Sequence, residues 1–280
     1  MDKKKLLLVP SGGLANRMRA VASAWQLCRQ VGSRLQVVWF KDWALSAAFH
    51  DIFEPVDPQL LALREANWGD CLLYDRPRRR NLWLPRLPQR LIFDRIIDEQ
   101  EVTPLKRAGF DFEAWARDAR CYMSCYQVFG CFPASLYREL SSPVAAVMER
   151  VEANARLLGD YAVGMHIRRT DNVEAIAKSP TRLFVEAGLR EMEAHPGLRI
   201  YLATDNEDVK SELRAAFGDR IVTPSETASR DSADGIRGGL VDMWTLSRMR
   251  HIYGSAGSSF SPMAASIGDV PLTILATDGD

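Results

Sequence analysis

At 280 residues the chain is long enough for one large domain or two smaller ones, each with a substantial hydrophobic core. Hydrophobic residues make up 47% and charged residues 26%, the balance of a soluble globular protein rather than a disordered one. The 36 basic and 36 acidic residues cancel, leaving no global field to draw nucleic acid or an anionic membrane.

The first apolar run, Leu6–Val9, stops at Pro10, far short of a secretory core or a membrane span, and reads as a buried strand. After the turn Pro10-Ser11-Gly12-Gly13, the residues Leu14, Met18, Val21, Trp25 and Cys28 recur at steps of three and four, predicting a helix that Gly32 ends. Leu35–Phe40 is the next strand, completing a βαβ unit with glycines at the first helix N-terminus. From Trp43 to Arg120 the pattern blurs and strands are weakly signalled. Here the 76–95 stretch carries Arg76, Arg78, Arg79, Arg80, Arg86, Arg90 and Arg95 among Trp83, Leu84 and Phe93. A solvated face is the ordinary reading of such a cluster; an acceptor, oligomer or peripheral membrane contact is the alternative. Five cysteines include no Cys-x-x-Cys pair, and Cys121, Cys125 and Cys131 lack a nearby histidine, so reduced thiols of a cytoplasmic protein are expected rather than zinc ligands.

A strand near Cys121–Ser124 and a helix from Pro143 to about Leu157 lead into a regular second half. Strands are expected at Tyr161–Ile167, Leu198–Ala203, Ile221-Val222, His251–Gly254 and Leu272–Leu275. Helices are expected from about Pro180 to Ala194, Asn206 to Phe217, Asp234 to Arg248 and Pro262 to Ile267. Alternating strands and helices imply a parallel sheet covered on both faces. The expected architecture is α/β: two Rossmann-like domains, 1–142 and 143–280, facing each other across a cleft.

Open parallel sheets bind ligands at the carboxyl ends of their strands, and four segments are read there. In Ser11-Gly12-Gly13-Leu14-Ala15-Asn16-Arg17 the glycines allow close backbone approach, although a plain tight turn explains them too. Arg17 is less ordinary, because a cation in a first helical turn opposes the helix dipole unless it serves something else. In Val163-Gly164-Met165-His166-Ile167-Arg168-Arg169-Thr170-Asp171 a buried strand breaks into two arginines, whose planar forks suit carboxylate or phosphate. An internal pair of Arg168 or Arg169 with Asp171 is the plainer alternative. Thr204-Asp205 ends a strand and starts a helix, where at least one of the two is expected as an N-cap. Asp242 lies on an otherwise apolar helix, and Gly254-Ser255-Ala256-Gly257-Ser258-Ser259-Phe260-Ser261-Pro262 signals a new helix N-terminus with N–H groups and hydroxyls for a phosphate.

In order and spacing these residues resemble the GDP-fucose-dependent fucosyltransferases: the Nod-factor type α1,6-enzymes and their α1,2- and protein O-fucosyltransferase relatives. The matching features are Gly12-Gly13-Leu14-x-Asn16-Arg17, His166-x-Arg168-Arg169-x-Asp171, Thr204-Asp205, and Val241-Asp242-x-x-x-Leu246-Ser247 leading to Ser258-Ser259. The resemblance implies a GT-B-like fold and a glycosyltransferase that moves L-fucose from GDP-β-L-fucose to a glycan acceptor hydroxyl. It further implies inversion, no metal and no cofactor beyond the donor substrate, in bacterial glycan biosynthesis. Domain 143–280 would hold the donor and 1–142 the acceptor. Carried over, Arg168 grips the β-phosphate with Arg169 and Asp171 beside it, and His166 lies near the nucleotide with Thr204 and Asp205. Asp242 reads guanine, Ser258 or Ser259 touches phosphate, and Gly13, Asn16 and Arg17 close the site. The chain departs from the family where Asn172 stands for a lysine and where the nearest carboxylate, Glu174, lies closer to the motif than the family's base. Glu174 is thus the candidate base. A transferase for another sugar nucleotide and a non-catalytic nucleotide- or glycan-binding module are the rival readings. A nicotinamide dehydrogenase is disfavoured by the first turn, which lacks the spaced glycines.

Overall fold

In the computed structural model, which describes residues 4–59, 61–74, 87–170, 172–224 and 231–277, the first apolar run forms strand β1 (Lys5–Pro10). Leu6 to Val9 are each 1% exposed or less, so this strand is buried on both faces. The helix expected after the glycine turn is α1 (Leu14–Val31), and β2 (Arg34–Trp39) follows. The weakly signalled region supplies β3 (Ala62–Glu65), α2 (Asp70–Leu73), α3 (Leu87–Ile92), β4 (Arg95–Ile97), α4 (Glu99–Arg107) and α5 (Phe112–Ala116). Then come β5 (Arg120–Cys125) and α6 (Ser135–Leu140). The five strands form one parallel sheet in the order β3-β2-β1-β5-β4.

The second half opens with α7 (Ala145–Leu158) and β6 (Ala162–Ile167), then α8 (Val173–Lys178), α9 (Thr181–Ala194), β7 (Arg199–Thr204) and α10 (Glu207–Phe217). It continues with β8 (Ile221–Val222), α11 (Ala233–Leu246), β9 (Ile252–Ser255), α12 (Phe260–Gly268) and β10 (Leu272–Leu275). This sheet is also wholly parallel, ordered β10-β9-β6-β7-β8. Residue contacts divide the chain into two units, Met1–Ser142 with Arg230–Ala233, and Pro143–Ser229 with Asp234–Asp280.

Side-chain alternation along β6 positions the chemistry. Val163, Met165 and Ile167 point to one face, where they pack with Ile200, Leu202, Phe184, Val209, Leu213 and Phe217. Gly164 and His166 occupy the other face, toward α11 and α12. A methyl group at Gly164 would lie 2.4 Å from Leu246 Cδ2, so the end of α11 packs directly on the strand backbone.

Several local expectations are corrected. Residues 173–178, read as loop, form α8, capped by the Asn172 side chain accepting from Ala175 N–H at 3.0 Å. Neither Thr204 nor Asp205 caps α10; Asn206 does, accepting from Val209 N–H at 2.9 Å. Helix α12 starts at Phe260 after Ser259, ahead of the Ser261-Pro262 signal. Proline is tolerated anywhere in a first turn, because those N–H groups have no intrahelical acceptor. Of the arginine-rich stretch, Arg76, Arg78, Arg79, Arg80 and Arg86 lie outside the described residues.

Candidate functional site

The carboxyl ends of β6, β7 and β9 bring the motif residues of the second unit together. Asp205, just past β7, is the organiser. Its Oδ1 accepts the Arg169 N–H at 2.8 Å; its Oδ2 accepts the Thr170 N–H at 3.2 Å and the Thr170 hydroxyl at 2.5 Å. Arg168 Nη1 also meets Oδ2, at 3.1 Å. Burial pushes the Asp205 carboxyl up, but the Thr170 hydroxyl, the Arg168 charge and the two amides outweigh it and hold it below the usual range. Arg168 is thus paired with Asp205, one strand away; Asp171 lies outside the described residues.

Ser255, at the end of β9, ties the third strand in. Its hydroxyl donates to the His166 carbonyl at 3.2 Å and accepts from the Arg168 N–H at 3.2 Å. Arg169 turns inward: its guanidinium donates to the Arg168 carbonyl at 2.9 Å, the Ser179 carbonyl at 2.6 Å and the Thr181 hydroxyl at 3.2 Å. Of the two arginines expected at the ligand, Arg169 thus braces the loop, and Arg168 is held by a carboxylate at its rim. A guanidinium carries five N–H donors, so a carboxylate at Nη1 and a phosphate elsewhere are compatible in its geometry.

His166 is 6% exposed, and its ring stacks on Phe260 with centroids 4.7 Å apart and planes 22° from parallel. Burial, reinforced by Arg168, pushes its pKa down to about 3 against a smaller pull from Asp205, so the imidazole is neutral near pH 7. Its Nδ1 has no hydrogen-bond partner among the described residues. The hydroxyl of Ser261 on the same side and that of Thr204 are in the same condition. Thr204 pairs in register with Ile167, which puts it on the opposite sheet face from His166. Buried polar atoms are normally paired, so orphans at a strand-end rim are places where a ligand's polar atoms can complete the bonding.

Gly257 (φ 66°) takes the left-handed region favoured by glycine, and a methyl group there would lie 2.5 Å from Glu174 Oε2. Asn172 Nδ2 donates to the Gly257 carbonyl at 3.0 Å. Glu174, half-exposed and paired with Lys178 at 3.0 Å, is thereby set beside the segment that carries Ser258 and Ser259. Ser258 Oγ accepts from the Phe260 N–H at 3.3 Å, and Ser259 is the residue that precedes α12.

Asp242 sits elsewhere. It is the tenth of the fourteen residues of α11, and its Oδ1 accepts from the hydroxyl of Tyr201, the third residue of β7, at 2.7 Å. Asn154 joins them, donating to Tyr201 Oη at 3.2 Å and to Thr245 Oγ1 at 3.1 Å. Tyr201 is a mid-strand residue, so Asp242 lies over the body of β7 and not at the strand ends where sequence reasoning set it. Burial raises its pKa to about 7 despite the Tyr201 hydrogen bond.

In the first unit, Gly13 precedes α1 without a side-chain cap, and the Asn16 side chain accepts from Arg19. Arg17 is fully buried. It donates to the carbonyls of Gly12 at 2.9 Å and Phe40 at 2.5 Å, pairs with Asp42 at 2.9 Å, and lies over the Trp39 ring. Burial pulls its pKa down to about 10 against the Asp42 charge. The cation that opposes the helix dipole serves Asp42. Sequence reasoning included Ser255 and Phe260 in a candidate phosphate segment without their contacts and missed Tyr201; these roles come from neighbouring strands and helices rather than chain proximity. Among the described residues no group of three His, Cys, Asp or Glu is placed to hold a metal ion, and no helix is long and apolar enough to cross a membrane.

No protein-family model and no curated protein matches the chain in sequence. Solved structures do match in fold. NodZ α1,6-fucosyltransferase soaked with GDP-fucose superposes with a TM-score of 0.65 at 16% identity, covering 96% of this chain and 94% of that one. NodZ from Bradyrhizobium gives 0.65 at 18%, covering 94% and 92%. POFUT1 in complex with GDP gives 0.59 at 9%, covering 97% of each chain. At these identities the likeness establishes the fold, two Rossmann-like halves of the GT-B kind.

Proposed function

We propose that the protein is a glycosyltransferase that moves L-fucose from GDP-β-L-fucose to a glycan acceptor hydroxyl, with inversion and without a metal. The observation that carries this reading is the strand-end cluster of the second unit: Arg168 held by Asp205 beside a neutral, buried His166 with an unpaired nitrogen. Its support is the shared fold with proteins whose structures hold GDP-fucose or GDP.

In this reading the first unit takes the acceptor and the second the donor. Arg168 binds the β-phosphate and stabilises the charge that grows on it as the glycosidic bond breaks and the sugar gains oxocarbenium character. The N–H groups and hydroxyls of Ser258 and Ser259 supply further donors to phosphate, and His166 Nδ1 and Thr204 meet polar atoms of the nucleotide. Glu174 takes the acceptor proton. Asp242, seated over the body of β7 below the strand-end cluster, reads the guanine of a nucleotide that runs down from the phosphates, sharing its carboxylate with the Tyr201 phenol, while Gly13 and Asn16 present backbone and amide at the first unit's glycine turn. The enzyme belongs to cytoplasmic glycan biosynthesis in bacteria, with membrane contact, if made, through the 76–95 stretch.

The test is calorimetric binding of GDP, UDP and ADP, followed by turnover of GDP-fucose with a glycan panel in EDTA and anomer assignment of the product. GDP selectivity and an inverted product are expected. Arg168→Ala should abolish transfer with the fold intact, and Arg168→Lys should rescue poorly because a point charge lacks the fork. Turnover of Arg168→Ala close to wild type would overturn the assignment.

A further inference from the structure

Three aromatic side chains stand out as more than one-third exposed among the described residues: Trp68 at 81%, Trp43 at 53% and Tyr126 at 38%. All three belong to the first unit, and all three follow the carboxyl end of a strand of its sheet. Trp43 follows β2, Trp68 follows β3 and Tyr126 is the first residue after β5. The first two lie close in topology, since Trp39 and Glu65 end β2 and β3 as register partners and the Ala66 N–H continues the ladder to the Trp39 carbonyl at 2.7 Å.

The loops that carry them are pinned. Asp42 and Leu45 exchange backbone hydrogen bonds at 3.1 and 3.2 Å around Trp43, and Asp42 Oδ1 also accepts from Ala44 and Leu45 while held by the buried Arg17. Around Trp68, Arg64 grips Asp70 with both Nη atoms at 2.6 and 2.7 Å, and Asn67 and Asp70 exchange side-chain-to-backbone bonds at 2.7 and 3.2 Å. Beside Tyr126, the Cys125 carbonyl accepts from Ser11 N–H at 2.9 Å, and Gln127 is bonded to Thr103. Loops pinned this way lose little backbone freedom on binding, which favours strong contacts by the aromatics they carry.

We infer that this edge of the first unit is a glycan-binding surface on which Trp43, Trp68 and Tyr126 stack against successive pyranose rings of the acceptor. Open parallel sheets take ligands at this edge. Exposed polar residues such as Lys41 and Asn67 flank the rings in the chain, a mixed setting that suits a glycan better than an apolar protein or membrane contact. A pyranose has that same alternation, an apolar C–H face rimmed by hydroxyls. The occupant rests on the fucosyl-transfer reading, because an acceptor glycan is what the first unit would have to hold.

The experiment is an array of immobilised β-linked oligosaccharides probed with the full chain and with Trp43→Ala, Trp68→Ala, Trp68→Phe and Tyr126→Ala, alongside thermal unfolding, sedimentation and separate GDP calorimetry. Expected are wild-type binding to a subset of glycans, a loss of roughly tenfold or more for each alanine variant, as for truncated aromatic anchors, and partial recovery in Trp68→Phe, with unchanged unfolding midpoints. No glycan bound by the wild-type chain, or alanine variants that bind as the wild type does, overturns the inference. So does self-association that Trp68→Ala abolishes while glycan binding persists. GDP calorimetry reports the donor reading independently, so glycan binding without GDP binding would overturn the proposed function and leave this surface standing.

Discussion

Replacing Asp205 with asparagine tests the proposed donor site at its organiser. The carboxylate receives four donors: Arg168 Nη1, the N–H groups of Arg169 and Thr170, and the Thr170 hydroxyl. Asparagine retains one acceptor oxygen. If that oxygen replaces Oδ2, the new NH2 group faces the Arg169 N–H, donor against donor; if it replaces Oδ1, the Thr170 bonds and the arginine contact fail together. Charged hydrogen bonds contribute roughly 1.5–3 kcal/mol each, and breaking a fully buried pair costs about 3–5 kcal/mol. Arg168 and Asp205 have side chains 20% and 8% exposed, so solvent screens part of this. A total of about 2–4 kcal/mol is expected, divided between folding and ligand binding. Asp205→Asn should weaken GDP binding at least tenfold, measured by calorimetry, and lower stability in urea by about 1–2 kcal/mol. Thr170→Val, which removes one hydroxyl and leaves the charge, should cost only about 1 kcal/mol. If Asp205→Asn kept wild-type GDP affinity and stability, the claim that this carboxylate sets the arginine loop would be refuted.

Two buried groups on the same side of the second sheet give pH signatures of opposite sign. His166 has its folded pKa pushed below the ordinary value to about 3, so its neutral form stabilises the fold fully above about 6.5, and that contribution is lost as pH falls toward 3. In the wild-type chain the Asp242 contribution has the opposite slope between about pH 4 and 7 and offsets this loss, so urea titration from pH 7 to 4 should uncover it, at up to about 1.4 kcal/mol per pH unit, in Asp242→Asn, and adding His166→Asn should flatten it again. Asp242 has its folded pKa raised to about 7, so its protonated form favours the fold at low pH and that advantage is lost as pH rises from about 4 to 7. Asp242→Asn should therefore raise the melting temperature at pH 8 and steepen the acid-side loss due to His166. It should also weaken GDP binding relative to other nucleotides. A nucleotide preference unchanged in Asp242→Asn would remove the guanine assignment and leave the stability prediction intact.

What could be read from the chain follows from how far apart the partners lie. The βαβ opening and the regular second half were legible because long apolar runs alternate with helical spacing. β3 and β4 were not, since four and three residues at the sheet edges, Ala-Leu-Arg-Glu and Arg-Ile-Ile, carry no clear alternation. α8 is six residues long and its start depends on the Asn172 cap, a signal easily lost in a polar loop. The motif His166 to Thr170 was visible because it is contiguous. Its wiring was hidden, because Asp205, Ser255 and Phe260 reach it only through strand register and helix phase. Arg17 shows the limit of a dipole argument: the charge needed a partner, and the partner was Asp42.

Gly164 bears on engineering. Because α11 rests on bare backbone at that residue, the helix carrying Asp242 has a seating depth set by a missing methyl group. Redesigning nucleotide preference by rewriting α11 is thus constrained from beneath: bulkier residues on its inner face would lift the helix, and with it Tyr201's partner. A library aimed at new donors would do better to vary Ser258 and Ser259, keeping Gly257, whose φ of 66° favours glycine, and Phe260, which stacks on His166.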